Sequence, residues 1–116
     1  MKRKVALFAF NGDPMCFIHV LLNTLDMHGR GYDVKLIIEG SATKLIVPLD
    51  GSGHPLHALY SETKEKGLVD CVCTACANKM GTLLSAKEQG LSLCGAMKGH
   101  PSISEYMELG YEVLIF

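Results

Sequence analysis

The sequence has no tryptophan, no excess of charge of either sign and no long apolar run. Its 11 basic and 12 acidic side chains give a formal net charge of −1. Proteins that bind nucleic acid or anionic membranes through charge carry a basic surface, whereas the basic cluster Lys2-Arg3-Lys4 is typical of a solvated chain start. No stretch approaches the roughly 20 apolar residues of a membrane span. We therefore expect neither a nucleic-acid partner nor a membrane partner.

Length and apolar content predict a single compact domain over residues 1–116. Apolar residues make up 48% of the chain, and a domain of this size buries roughly two thirds of the surface that its unfolded chain exposes. The apolar run Val5–Phe10 is too short for the central part of a signal peptide, so we interpret it as a first strand and expect a cytoplasmic protein. In that reducing compartment, five clustered cysteines favour catalysis or metal binding over structural disulfides.

Apolar periodicity predicts strands that alternate with helices. Asp13 and Pro14 are typical of a helix start after the first strand, and short helical stretches separate the later apolar runs. The alternation predicts a three-layer α/β/α sandwich around a five-stranded, mainly parallel sheet. The predicted strands lie near residues 4–10, 33–39, 69–73, 91–96 and 112–116.

The segment "VDCVCTACANKMG", at 69–81, holds Cys71, Cys73 and Cys76 where the third predicted strand passes into a helix. In parallel α/β folds, ligands bind outside the carboxyl ends of the strands. Cys16 follows the first strand, and Cys94 lies towards the end of the fourth. We therefore expect all five thiols at or near one edge of the sheet.

Cys73 and Cys76 are the predicted catalytic residues. Thr74 is predicted to cap the helix after the strand, which places Cys76 in its first turn and Cys73 just before it. The helix dipole stabilises an anion there, so we expect a thiol pKa below the usual value. The loop position is also expected to keep the sulfur reachable.

The remaining candidates are predicted to support this pair. Cys71, in mid-strand, is predicted to be packed filler, because cysteine behaves like a small hydrophobe in protein cores. For Cys16 and Cys94, packing and a supporting role in the site carry equal weight. His100 precedes a helix after the fourth strand, so it could support the thiols as a base or proton donor; the alternative, a surface histidine without a role in the site, stays open and is the more common case.

Two other interpretations of the cluster stay open. The pattern C-x-C-x-x-C resembles metal-ligand spacings, and Cys94 could supply a fourth thiolate for zinc or an iron–sulfur cluster. A strand residue, a turn residue and a helix residue need not converge on one point, however. Cys73 and Cys76 also have the C-x-x-C spacing of a thiol-disulfide redox protein, with Thr74-Ala75 between them in place of a Gly-Pro type pair.

The chain resembles the DsrE/DsrF-like family, which includes the sulfur-relay subunits TusB, TusC and TusD and the hexameric protein YchN. The resemblance extends over nearly the whole chain and rests on "KVALFAFNG", on the order of elements, on "VCTACANKMG" and on "ELGYEVLIF". Matching Gly81 to the glycine that closes the family helix puts the family's sulfur-accepting cysteine on Cys73. Cys76 is then an addition found in only part of such families.

The resemblance implies a protein that handles sulfane sulfur as a cysteine persulfide, as a sulfur carrier or a subunit of a sulfurtransferase relay. It implies sulfur donor and acceptor proteins as partners, no cofactor and no metal. It also implies a homotrimer or hexamer, which "LIVPL" and the short Met- and Leu-rich helices favour through their apolar surface. Whether the protein is itself a catalyst is left open by the sequence.

Overall fold

A computed structural model describes residues 2–116 as alternating strands and helices. Their bounds are β1 Lys4–Ala9, α1 Pro14–Gly29, β2 Asp33–Ile38, a 3-10 helix Gly40–Leu45, α2 Ile46–Asp50, α3 His57–Glu65, β3 Val69–Cys73, α4 Thr74–Met80, α5 Leu83–Glu88, β4 Leu93–Cys94, α6 Ile103–Glu108 and β5 Glu112–Ile115. All five strands are parallel, in the order β4-β3-β2-β1-β5. The predicted three-layer α/β/α architecture is confirmed, and the sheet is wholly parallel.

The two faces of the sheet are covered unequally. The larger apolar cluster lies between one face and the helices α1 to α5, and its buried members include Leu7, Phe17, Leu36 and Tyr60. The smaller cluster lies under α6 on the other face, with Phe8 among its buried members. This inequality follows from the strand order, because only the last crossover runs past β1 to the opposite edge, and right-handed crossovers then place α6 on the other face.

The start of α1 is where the sequence places it. The Asp13 side chain accepts a hydrogen bond from the Met15 backbone N–H, and Pro14 occupies the first helical position. A proline costs little there, since its missing N–H would have no partner within the helix. The outcome differs for β4, which spans Leu93–Cys94 and not the predicted 91–96, because it pairs with β3 only at its own two residues.

A β-bulge interrupts the pairing of β3 with β2. Leu36 lies opposite Val69, and the next residue, Ile37, lies opposite Cys71, so Asp70 is the extra residue. A bulge shifts the alternation of side chains between the two faces. It leaves Cys71 in the smaller apolar cluster under α6. Within residues 2–116, no helix is both long and apolar enough to cross a membrane.

Candidate functional site

Three side chains converge at the carboxyl edge of the sheet: Cys73, Cys76 and His100. Cys73 ends β3, Cys76 lies in the first turn of α4, and His100 lies in the loop after β4. His100 Nδ1 is 3.2 Å from Cys73 Sγ and 3.6 Å from Cys76 Sγ. The three potential ligand or nucleophile atoms lie within 4.8 Å of one another. The structure thus brings together both predicted catalytic thiols and the predicted supporting histidine.

A tight turn after β4 brings His100 over the thiols. Gly95 accepts a backbone hydrogen bond from Gly99, and the Gly99 carbonyl accepts one from the Ala75 N–H at 2.9 Å. Gly99 has φ of 91°, and a Cβ there would meet Ala75 Cβ at 3.1 Å. Only a residue without a side chain fits this close approach at a positive φ. The turn therefore joins the loop to the first turn of α4 and fixes the place of His100.

The helix cap is Cys73 and not Thr74, contrary to the sequence prediction. Cys73 has extended backbone angles, and its Sγ accepts a hydrogen bond from the Cys76 N–H at 3.4 Å. The Thr74 hydroxyl instead donates to the Cys94 carbonyl at 3.1 Å. The chain enters α4 one residue earlier than predicted, because the strand conformation ends at Cys73. Thr74 supports the site by tying the start of α4 to β4.

Cys73 is neither reachable nor acidic, which corrects two expectations. The residue is 0% exposed, and its sulfur lies 3.6 Å from the Gly99 carbonyl oxygen. Burial raises the pKa of the Cys73 thiol to about 11, although the hydrogen bond from the Cys76 N–H acts in the opposite direction. Desolvation disfavours a charged sulfur by more than this short helix start stabilises it. At neutral pH Cys73 is therefore a thiol.

Cys76 is the thiol that opens to solvent. It is half-buried and lines a cavity of about 340 Å³ together with His100, Lys79, Met80 and Ser41, among others. Lys79 contributes positive charge to the wall, and Met80 contributes apolar surface. A cavity of this kind admits a small anionic or thiol-bearing group next to the Cys76 sulfur.

Sequence reasoning missed Glu39, which immediately follows β2. Burial raises the pKa of the Glu39 carboxyl, and the neighbouring charge of His100 opposes that shift. The charge of Glu39 in turn contributes to the raised pKa of Cys73. The rule that ligands meet the carboxyl ends of parallel strands could have identified it, since Glu39 comes directly after the last residue of β2, at the edge where Cys73 and Cys94 end their strands.

Cys71 and Cys94 are joined by a disulfide, contrary to the expectation of free thiols. Their Cα atoms are 5.6 Å apart across the neighbouring strands β3 and β4. Cys71 is buried as predicted, and its sulfur lies 3.5 Å from the Tyr106 hydroxyl. Cys94 was expected to approach Cys73, which lies opposite it in register, but its sulfur is bonded to Cys71. The two residues are therefore not available as free thiols.

Cys16 does not join the cluster within the part of the chain described, residues 2–116. It lies half-buried in the first turn of α1. The five cysteines predicted at or near one edge of the sheet therefore divide into two clustered free thiols, one disulfide and the separate free thiol of Cys16.

The disulfide also corrects the predicted metal-ligand set. Cys71 and Cys94 cannot complete a four-thiolate site while they are bonded to each other. The donors that remain together are two cysteine sulfurs and one imidazole nitrogen. Zinc accepts this combination with a fourth position left open.

Fold and cluster together define the class of this protein: an all-parallel α/β protein with a cysteine–histidine cluster at the carboxyl edge of its sheet. No protein-family model matches the chain. It is 30% identical over 97 residues to the uncharacterized protein MJ0733 of Methanocaldococcus jannaschii, an alignment that covers 84% of this chain and 77% of the relative. The chain belongs to the same family as that archaeal protein.

Shorter similarities lead to another archaeon, Archaeoglobus fulgidus. One uncharacterized protein is 49% identical over 49 residues, which are 42% of this chain and 77% of the relative. Another is 51% identical over 37 residues, which are 32% of this chain and 100% of the relative. Among solved structures, the conserved protein of unknown function BT1422 from Bacteroides thetaiotaomicron matches with a TM-score of 0.75 at 15% identity, covering 97% of this chain and 94% of that chain. At that identity the likeness shows the fold alone.

Proposed function

We propose that this protein handles sulfane sulfur as a cysteine persulfide, and that Cys76 is the thiol that accepts the sulfur. The observation that carries the proposal is the position of Cys76. It combines a free, half-buried sulfur that lines a cavity with a histidine nitrogen 3.6 Å away. Reactive cysteines are recognised by partial exposure and a basic or cationic neighbour. Cys76 meets both conditions, whereas the buried Cys73 meets only the second.

The accepting step is a nucleophilic displacement at a sulfur–sulfur bond. His100 takes the proton of Cys76, and the thiolate attacks the outer sulfur of a donor persulfide or polysulfide. The donor's sulfur–sulfur bond breaks, and the donor leaves as a thiolate or a shorter polysulfide with the bonding electron pair. Sulfane donors of this kind are anionic near neutral pH, and Lys79 places a positive charge on the wall they would meet.

The resemblance to the DsrE/DsrF-like family supports the same chemistry. A cysteine ends β3, and the short helix α4 closes on Gly81, which has φ of 75°. We assign the accepting role to Cys76, and not to Cys73 as the resemblance alone implies, because Cys73 is fully buried. The proposal includes sulfur donor and acceptor proteins as partners and a cytoplasmic location.

We also propose that the protein works as a homotrimer or hexamer. The apolar surface predicted for "LIVPL" is mostly not available, because Leu45, Ile46 and Leu49 are buried in the core. Apolar side chains in and directly after α6 and in the edge strand β5 are exposed instead, including Met107, Leu109 and Ile115. An uncovered apolar edge strand is a liability in a monomer and an asset at an interface. Light scattering at micromolar concentration should therefore give three or six times the chain mass. A monomer at that concentration would contradict this part of the proposal.

The test of sulfur acceptance compares the intact masses of variants in which one cysteine at a time is replaced by serine. The protein is exposed to inorganic polysulfide without oxygen and then desalted. We expect Cys76→Ser to gain no sulfur atom and Cys73→Ser to gain one, while Cys16→Ser should give the same result as the parent protein. Sulfur that loads on Cys76→Ser as well as on the parent protein would exclude Cys76 as the acceptor.

A second candidate function is the binding of zinc. The observation that favours it is the convergence of Cys73, Cys76 and His100, whose donor atoms lie within 4.8 Å of one another. Elemental analysis of protein purified without chelator separates the two functions. About one zinc per chain supports metal binding, while metal-free protein that accepts sulfur supports persulfide handling.

A further inference from the structure

We propose that Cys73 resolves the persulfide on Cys76, so that the protein releases the accepted sulfur as sulfide and closes a Cys73–Cys76 disulfide. The inference rests on the proposed function, since it assumes that Cys76 carries the persulfide. It gives Cys73 a role of its own and makes the protein a consumer of dithiol reductant.

Cys73 lies close enough to Cys76 to form a disulfide with it. Cys73 is the cap of α4 and Cys76 lies in its first turn, with the Cys76 N–H 3.4 Å from Cys73 Sγ. The two sulfurs lie within 4.8 Å of each other. Cysteines spaced C-x-x-C at a helix start can form a disulfide with little movement of the backbone. Rotation of the half-buried Cys76 side chain towards Cys73 is therefore enough to close the bond.

Cys73 lies on the side of Cys76 from which an attack on the inner sulfur of the persulfide would come. An attack on a persulfide proceeds along the axis of the sulfur–sulfur bond, from the side opposite the leaving sulfur. The outer sulfur on Cys76 would occupy the cavity, while Cys73 lies buried on the protein side. Cys73 therefore faces the inner sulfur, and a thiol that arrives through the cavity meets the outer sulfur first. The persulfide on Cys76 can therefore react in two ways. Its outer sulfur is either transferred to an external acceptor thiol or released as sulfide after attack by Cys73.

His100 lies where it can take up the proton of the Cys73 thiol. Cys73 rests as a thiol in contact with His100 Nδ1 at 3.2 Å, and the same nitrogen lies 3.6 Å from Cys76 Sγ. A neutral imidazole can take the Cys73 proton and then return it to the departing sulfide.

Atoms and electrons balance over two steps. In the first, the Cys73 thiolate attacks Cys76 Sγ, a Cys73–Cys76 bond forms, and the bond from Cys76 to the outer sulfur breaks. The outer sulfur leaves with the electron pair as hydrosulfide, which is the reduced product, and both cysteines become oxidised. In the second step, a dithiol reductant exchanges with the Cys73–Cys76 disulfide and returns both thiols while itself becoming a disulfide. A reaction that supplies sulfane sulfur must precede this cycle, and one that uses sulfide can follow it.

The test follows the fate of the loaded sulfur. Protein with the Cys71–Cys94 disulfide intact is loaded with inorganic polysulfide, desalted, and left without reductant, while sulfide in solution and intact mass are recorded. We expect the parent to release sulfide and to lose two hydrogen atoms relative to the starting protein, with peptide mapping that joins Cys73 to Cys76. Cys73→Ala should hold its persulfide about a hundredfold longer, since an intramolecular thiol acts at a far higher effective concentration than a dissolved one. Cys16→Ala should behave as the parent does.

The outcomes separate this inference from the proposed function. A parent persulfide as long-lived as that of Cys73→Ala overturns the inference and leaves sulfur acceptance standing. A disulfide that maps to Cys73–Cys94 also overturns it, because the resolving partner is then the register neighbour in β4. Absence of any adduct or released sulfide from the parent overturns both. If Cys73→Ala does not fold, the parent's own disulfide map and sulfide release decide the matter.

Discussion

The two cysteine pairs of this protein begin two residues apart on the same strand, yet their surroundings differ in every respect that matters for sulfur. Cys71 joins Cys94 across two strands, inside the smaller apolar cluster and beside Tyr106. Cys73 and Cys76 lie along one continuous segment at the strand-to-helix turn, next to a histidine and a cavity. The first pair is closed by a disulfide, with Cys71 buried and Cys94 half-buried, whereas the second is free, with Cys73 buried and Cys76 half-buried. Neighbouring groups, and not the spacing of thiols along the chain, set what each pair can do.

The largest expected difference is that in alkylation rate between Cys73 and Cys76, the two free thiols of the cluster. Burial raises the pKa of Cys73 to about 11, so at pH 7 only about one Cys73 in ten thousand is a thiolate. Iodoacetamide at pH 7 should therefore label Cys76 rapidly and leave Cys73 unlabelled in the folded protein. Labelling of Cys73 should increase as pH rises towards 11, because a raised pKa keeps the unreactive thiol form below that pH. Peptide mapping after timed labelling checks this, and equal labelling of both at pH 7 would break the contrast.

Removal of the closed pair should cost more stability than removal of the free pair. The Cys71–Cys94 disulfide has a sequence separation of 23, and closing a loop of that length is worth about 3 kcal/mol through the unfolded state. We expect Cys71→Ala/Cys94→Ala to lose about that much free energy of unfolding. The matched variant Cys73→Ala/Cys76→Ala should lose about 1 kcal/mol, mainly through the missing helix cap. Urea titrations without reductant measure both, and equal losses would mean that the disulfide does not stabilise the fold.

His100→Gln should slow the reaction of Cys76 with sulfur donors and leave the stability of the fold nearly unchanged. Removal of the disulfide, in contrast, should mainly lower the stability. The variant keeps a polar group of similar reach but cannot take a proton from a thiol. Sulfur loading of Cys76 should slow by about a hundredfold, which is the lower end for a general base. The urea midpoint should stay near that of the parent, since His100 is only half-buried. Stopped-time mass measurements give the rate, and an unchanged rate would remove His100 from the accepting step.

Much of this arrangement could be predicted from the sequence, and the exceptions have physical causes. Alternating strands and helices predicted the layers, and the rule for parallel strands placed Cys73 and Cys76 at one edge, while His100 was predicted from its position before a helix after the fourth strand. The Cys71–Cys94 bond was not predicted because it depends on register: Cys94 lies opposite Cys73, and the bridge runs diagonally. The burial of Cys73 was also missed, since it depends on the Gly99 turn that closes over the start of α4.

The surroundings of the closed pair can be tested through Tyr106. Its hydroxyl donates to the Asp70 carboxylate and contacts Cys71 Sγ at 3.5 Å, while Asp70 also pairs with Lys35. Tyr106→Phe should lower the free energy of unfolding by about 2 kcal/mol, because a hydrogen bond to a charged acceptor is lost. Iodoacetamide labelling of Cys76 should be unchanged. A large change in that labelling would show that the two pairs are coupled through β3.

Cys16 supplies the smallest expected effect and the reference for the other variants. It is half-buried in the first turn of α1 and belongs to neither cysteine pair within residues 2–116. Cys16→Ser should change the free energy of unfolding by no more than about 0.5 kcal/mol, as is usual for a substitution away from the core and from special contacts. It should also leave polysulfide loading and the labelling of Cys76 at the parent rate. Mass spectrometry of the variant beside the parent tests all of these, and it removes the one thiol outside the two pairs from the labelling pattern. A loss of loading in Cys16→Ser would place a third thiol in the sulfur pathway, and the division into one closed and one open pair would then be incomplete.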